Sequence, residues 1–158
     1  MGSFQIGNAT AAAGDAVALR QYGALPWRLG RSRALEVLLV TSRRRGRWIV
    51  PKGWPVKGRS AAQSAAREAF EEAGVIGRAC PVPVGDYVYD KVGQDGMVEP
   101  CRVTLFSLHV RGTLTNWREK GQRERRWCRA EDAPDMVAEP ELSRLMDAWQ
   151  SRFRAGEG

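Results

Sequence analysis

Glu68, Glu71 and Glu72 lie within five residues of one another in the alanine-rich run 61–73. On a helix at 100° per residue, with Glu68 at zero, Glu71 falls at about −60° and Glu72 at about +40°. One outward face then carries three carboxylates within a turn. Ala62, Ala66, Ala69, Phe70 and Ala73 fall between about 100° and 200°, a mostly methyl face that lets the helix lie close to a sheet. Like charges so placed repel one another, and the negative end of the helix dipole adds to the repulsion. Arg67 can pair with Glu71 four residues on. A hard divalent cation such as Mg2+ or Mn2+ would offset the charge far more. Taken alone, the triplet is more simply a solvated acidic helix face.

The elements around it must position these acids. Ser60 is placed to cap the helix and Gly74 to stop it. Before it, Ala16–Tyr22, Leu35–Thr41 and Trp48–Val50 read as strands, with a turn at Arg43–Arg47. Pro51, Gly53, Pro55 and Gly58 then punctuate a loop. After it, Val82–Asp90 and Cys101–Val110 read as strands joined by a turn at Gly93–Gly96. Ala130–Val137 reads as a short helical stretch. Pro140–Phe153 is a helix with Leu142, Leu145, Met146 and Trp149 at helical spacing. Strands, helix, strands and helix predict an α/β fold, a mixed sheet with helices packed against it.

Composition bounds the answer. The 158 residues suit one domain. We expect a flexible tail over 1–15, a folded unit over 16–153 and a loose end over 154–158. Hydrophobic residues are 43% and charged residues 27%, a globular balance that excludes wholesale disorder. No apolar run is long enough for a membrane span, and residues 1–19 hold no Lys or Arg to begin a secretory signal. Cys80, Cys101 and Cys128 form no C-x-x-C pair, so reduced thiols in a cytoplasmic setting are expected. Net charge is +7, and Lys stands only at 52, 57, 91 and 120, so Arg dominates. Arg offers a planar fork matched to phosphate oxygens. Coding bias and a polyanionic partner, a phosphorylated small molecule or nucleic acid, both explain the surplus.

The stretch 53–75, G-W-P-V-K-G-R-S-A-A-Q-S-A-A-R-E-A-F-E-E-A-G-V, resembles the box of the Nudix hydrolases. That box reads Gly, five residues, Glu, seven residues, Arg-Glu, an apolar residue, any residue, Glu-Glu, any residue, Gly, an apolar residue. Gly53 and Gly74 take the box glycine positions. Every defined position matches except one, where Arg59 stands in place of the family Glu. The resemblance implies an α/β/α sandwich and a metal-dependent enzyme that hydrolyses pyrophosphate bonds. It implies that Glu68, Glu71 and Glu72 hold Mg2+ or Mn2+ together with the backbone carbonyl of Lys52. It also implies that Glu68 or Glu72 helps activate water, and that Arg67 keeps the acids in register. Arg59 is expected to reach a substrate phosphate.

Two flanking stretches, V-L-L-V-T-S-R-R-R-G-R-W-I-V-P and R-E-R-R-W-C-R-A-E-D-A, resemble the diphosphoinositol polyphosphate phosphohydrolase branch of that family. This implies that Ser42, Arg43, Arg44, Arg45, Arg125 and Arg126 bind a highly phosphorylated substrate, with Arg20 and Arg28 as further candidates. The box loop P-K-G-W-P-V-K-G-R departs from that branch and leaves dinucleoside polyphosphates equally open. A phospholigand- or RNA-binding module on the same fold, without turnover, is the alternative. The retention of all three box acids favours turnover. His109 is expected to be a packed strand histidine. Trp48, Trp54, Trp127 and Trp149 read as core or rim, with Trp54 able to stack on a base. Gly93–Gly96 reads as a hairpin turn rather than an RNA-binding loop.

Overall fold

A computed structural model describes residues 17–156. The tail expected over 1–15 lies outside them. The strands are β1 (Leu19–Leu29), β2 (Leu35–Thr41), β3 (Trp48–Ile49), β4 (Lys52–Gly53), β5 (Val75–Ala79), β6 (Gly85–Val92), β7 (Val98–Thr113) and β8 (Arg125–Arg129). The helices are α1 (Ala61–Ala73), α2 (Ala133–Met136) and α3 (Pro140–Arg154). They form one mixed sheet in the order β3-β2-β1-β7-β5, with β8 on β2, β4 on β1 and β6 on β7. The central pair β1–β7 is parallel, Leu19 to Trp27 matching Cys101 to His109. Every other ladder is antiparallel.

Each face of the sheet is covered, because strand side chains alternate. On one face Ala24, Leu38, Val40, Phe106 and Leu108 pack against Ala62, Ala65, Ala69 and Ala73 of α1. On the other, Leu25, Val37, Leu39, Val103 and Leu105 pack against Leu142, Met146 and Trp149 of α3 and Ala133 of α2. The sandwich expected from the sequence is the fold. Methyl-only contacts seat α1 tightly on its face. Phe70 departs from the expected face and is 45% exposed.

Ends and edges differ from the sequence reading. The Ser60 hydroxyl accepts from Gln63 N–H at 3.1 Å while the Gln63 side chain accepts from Ser60 N–H at 2.9 Å, a capping box that starts α1 as expected. Gly74 ends it at φ 64. Strand β1 runs on through Pro26 to Leu29, and β7 extends beyond the expected bounds on both sides. Strands β4, β5 and β8 lie outside the strands read from the sequence: β4 falls at the start of the expected loop, β5 is short and carries a bulge at Ile76/Gly77, and β8 sits within an Arg-rich run. Helix α3 continues through Arg154, one residue past the expected boundary. Gly93 N–H bonds Met97 O at 2.8 Å and closes the expected hairpin turn. His109 stacks on Trp27 with ring centroids 4.1 Å apart, as a packed histidine should.

Candidate active site

The last two turns of α1 carry the acids beside β4 and the segment 117–123, which reaches back to the end of β2. Glu72 is not an outward acid: it is 4% exposed. Its Oε2 accepts from the backbone N–H of Lys52 at 3.1 Å, and its Oε1 pairs with Arg123 at 3.2 Å. Arg123 also pairs with Glu119 at 2.9 Å and donates to Thr41 O at 2.9 Å. Burial pushes the Glu72 carboxyl up to about 7, against the pull of the Arg123 and Lys52 charges. Glu68 is also raised, by burial first and then by the negative charges of Glu71 and Glu119. Lys52 is lowered by burial, while Glu72 and Glu139 oppose the shift. Glu71 is held by Arg67 at 3.1 Å, the pairing expected from the sequence, and by Arg118 at 3.2 Å.

Gly53 is required by close approach. A Cβ there would lie 2.2 Å from the Glu68 carboxyl carbon. The box glycine thus leaves a cradle for the carboxylate against the loop backbone. Three carboxylates within one turn form a hard-oxygen donor set suited to Mg2+ or Mn2+. Among the described residues, no three acidic, histidine or cysteine side chains are already drawn into a ligand cluster. Arg67, Arg118 and Arg123 already pair with two of these carboxylates, so a cation would have to compete with them for the same oxygens.

Beside the acids lies a cavity of about 960 Å3. Ser42, Arg43, Arg44 and Arg45 line it together with Arg47, Lys52, Lys91 and Arg123. Ser42 also closes the turn that presents these arginines, its hydroxyl accepting from Arg47 N–H at 3.1 Å. Tyr89, Asp90 and Glu139 are among its other lining residues. Lys52 and Arg123 line the cavity and also contact Glu72, so the basic wall and the acid centre share two residues.

Other candidates are placed elsewhere. Arg125 does not line the cavity; its guanidinium donates to Ala73 O at 2.9 Å, Gly74 O at 3.3 Å and Leu114 O at 2.7 Å. Arg28 is likewise engaged, paired with Glu36 at 2.8 Å and lying over Trp127 at 3.9 Å. Arg20 donates to Thr104 Oγ1 at 2.9 Å on the neighbouring strand. Arg126 pairs with Leu39 in the ladder, so alternation turns its exposed side chain away from the face bearing α1. Arg59 is exposed and lines a separate depression of about 400 Å3 with Gln63, Arg67, Phe70 and Glu71. Sequence reasoning missed Arg123, Glu119 and Trp117. Arg123 opens the R-E-R-R run, but nothing local distinguishes it from its neighbours.

Comparison with known proteins bears on the family and the fold. The profile of the NUDIX domain matches residues 22–149. The chain is 32% identical over 116 residues to Nudix hydrolase 12, mitochondrial, of Arabidopsis thaliana, covering 72% of this chain and 57% of that protein. It is 37% identical over 101 residues to diphosphoinositol polyphosphate phosphohydrolase 3-beta of Bos taurus, covering 62% and 57%. The chain therefore spans little more than half the length of these relatives. The crystal structure of a C. elegans Ap4A hydrolase superposes with a TM-score of 0.61 at 19% identity, covering 85% of this chain and 98% of that one. A NUDIX hydrolase from Nitrosomonas europaea gives 0.64 at 18% identity, covering 84% and 88%. At these identities the two structures speak for the fold. On the extent of the profile match, the chain belongs to the Nudix hydrolase family.

Proposed function

We propose that this protein hydrolyses a phosphoanhydride bond in a small molecule carrying several phosphates, with Mg2+ or Mn2+ bound at Glu68, Glu71, Glu72 and the Lys52 carbonyl. One observation carries the reading: buried Glu72 is gripped by Lys52 and Arg123, and both residues also line the arginine-rich cavity. Acid centre and phosphate-binding wall are thereby contiguous. The cation, when bound, supplies Lewis acidity toward the pyrophosphate and toward water.

The chain's own residues do the rest. Arg43, Arg44 and Arg45 bind the phosphates that do not react, and that binding positions the scissile bond. Glu72, raised to about 7 by burial, is suited to hold a proton taken from water near neutral pH, and Glu68 is shifted in the same direction. Arg67 keeps Glu71 oriented. The names of the bovine relative and of the C. elegans structure support two substrate classes, diphosphoinositol polyphosphates and dinucleoside polyphosphates.

A phosphate-release screen with Mg2+ and Mn2+ tests the proposal. It should span both classes, with ADP-ribose and nucleoside triphosphates beside them. Turnover is expected on substrates with four or more phosphates. No turnover on any of them, together with steeply salt-dependent RNA affinity, would replace this reading with a binding module.

A further inference from the structure

The C-terminus of α1 is held by one segment that no box position describes. A helix end leaves its last carbonyls without intrahelical partners. Here Glu71 O accepts from Glu119 N–H at 3.1 Å, and Glu72 O from the Trp117 indole N–H at 3.1 Å. Ala73 O accepts from Arg125 at 2.9 Å, and Gly74 O from Leu114 N–H at 2.7 Å. Arg125 in turn lies over the Trp117 ring at 3.9 Å and donates to Leu114 O, closing the segment on itself. The same segment supplies Arg123 and Arg118, which grip the side chains of Glu72 and Glu71. Backbone and carboxylate of two acids are thus fixed from a single strap.

We infer that residues 114–125 form a strap that sets the register of the box carboxylates, and that Trp117 and Arg125 are positioning residues for them. This rests on the proposed role of those acids. Arg125 offers what lysine cannot: a planar fork that serves three carbonyls while stacking on an indole. Its charge also opposes the negative helix end, where three acids are least tolerated. Apart from the strap, α1 is seated by its alanines, which are buried against Leu38, Val40 and Phe106. Loss of the strap therefore loosens the acids more than the fold.

The test compares Arg125→Lys, Arg125→Ala and Trp117→Phe with wild type and with Arg129→Ala as control. Circular dichroism and thermal melts establish folding. Mn2+ affinity is read by calorimetry, and kcat and KM on the substrate found by the phosphate-release screen. Arg125→Lys and Trp117→Phe should stay folded and lose about 10- to 100-fold in Mn2+ affinity, the usual cost of losing a partner behind a metal ligand. Their kcat should fall while KM changes little, because the cavity arginines are untouched. Arg125→Ala should lose more. Variants that melt earlier yet keep wild-type Mn2+ affinity and kcat would overturn the inference and leave the strap a stabilising element. A wild-type protein that neither binds Mn2+ nor releases phosphate would overturn the proposed function, and the strap's role with it.

Discussion

At Glu72 the cost of burying a carboxylate outweighs the attraction of Arg123 and Lys52, so the folded protein holds a proton there more tightly than the unfolded chain. The sign follows from linkage. Between the ordinary value of 4.5 and about 7, the folded state binds more protons, so Glu72 makes the metal-free protein less stable as pH rises across that window. Thermal melts of wild type and Glu72→Gln should therefore lie closest below about pH 4.5, where both states are protonated. By pH 8 the variant should be the more stable by roughly 1–3 kcal/mol. Turnover of Glu72→Gln should be nearly abolished at saturating Mg2+; near-normal turnover would remove Glu72 from the acid centre. Gly53→Ala makes a complementary point. The new methyl meets the mobile end of Glu68, so melting should change little while kcat falls. Of this residue-scale picture, the three acids were legible because their spacing is local. The burial of Glu72 was not, since the groups that bury it come from β4 and from residues fifty positions on.

Elements show the same division. Helix α1 was readable to within its caps because Ser60, Gln63 and Gly74 announce its ends within the sequence itself. Gly74→Ala should destabilise by about 1–2 kcal/mol, the penalty of left-handed backbone, and by more if Trp117, whose ring would lie 2.6 Å from the new carbon, cannot move. Thermal or urea unfolding measures this. The arginines divide by element, which residue type alone could not reveal. Arg43 and Arg45 belong to a turn that lines the cavity, whereas Arg28 and Arg125 are spent on Glu36 and on helix carbonyls. Arg43→Ala combined with Arg45→Ala should raise KM for a substrate with four or more phosphates and spare ADP-ribose. Arg125→Ala should lower kcat on both alike.

Over the whole molecule the net charge is +7, and its basic side chains divide between those that rim the cavity and those paired with acids within the fold. Rates at low substrate should fall as salt is raised, since exposed charges are screened over about 8–10 Å near physiological strength. A flat salt response in steady-state kinetics would mean that the cavity arginines do not attract substrate. The layered architecture was legible from the order of strands and helices, but the parallel union of β1 with β7 was not, because no local pattern encodes pairing across eighty intervening residues.

That union, together with the strap, also fixes an order of events during synthesis. The ribosome delivers every box acid by Gly74, yet β7 starts at Val98 and the strap at Leu114. A nascent or truncated chain ending before Val98 has the complete motif, but β1 keeps only β2 and β4 as partners and nothing closes the end of α1. Such a fragment should be protease-sensitive and inert, and only emergence of Arg125 turns the motif into a site.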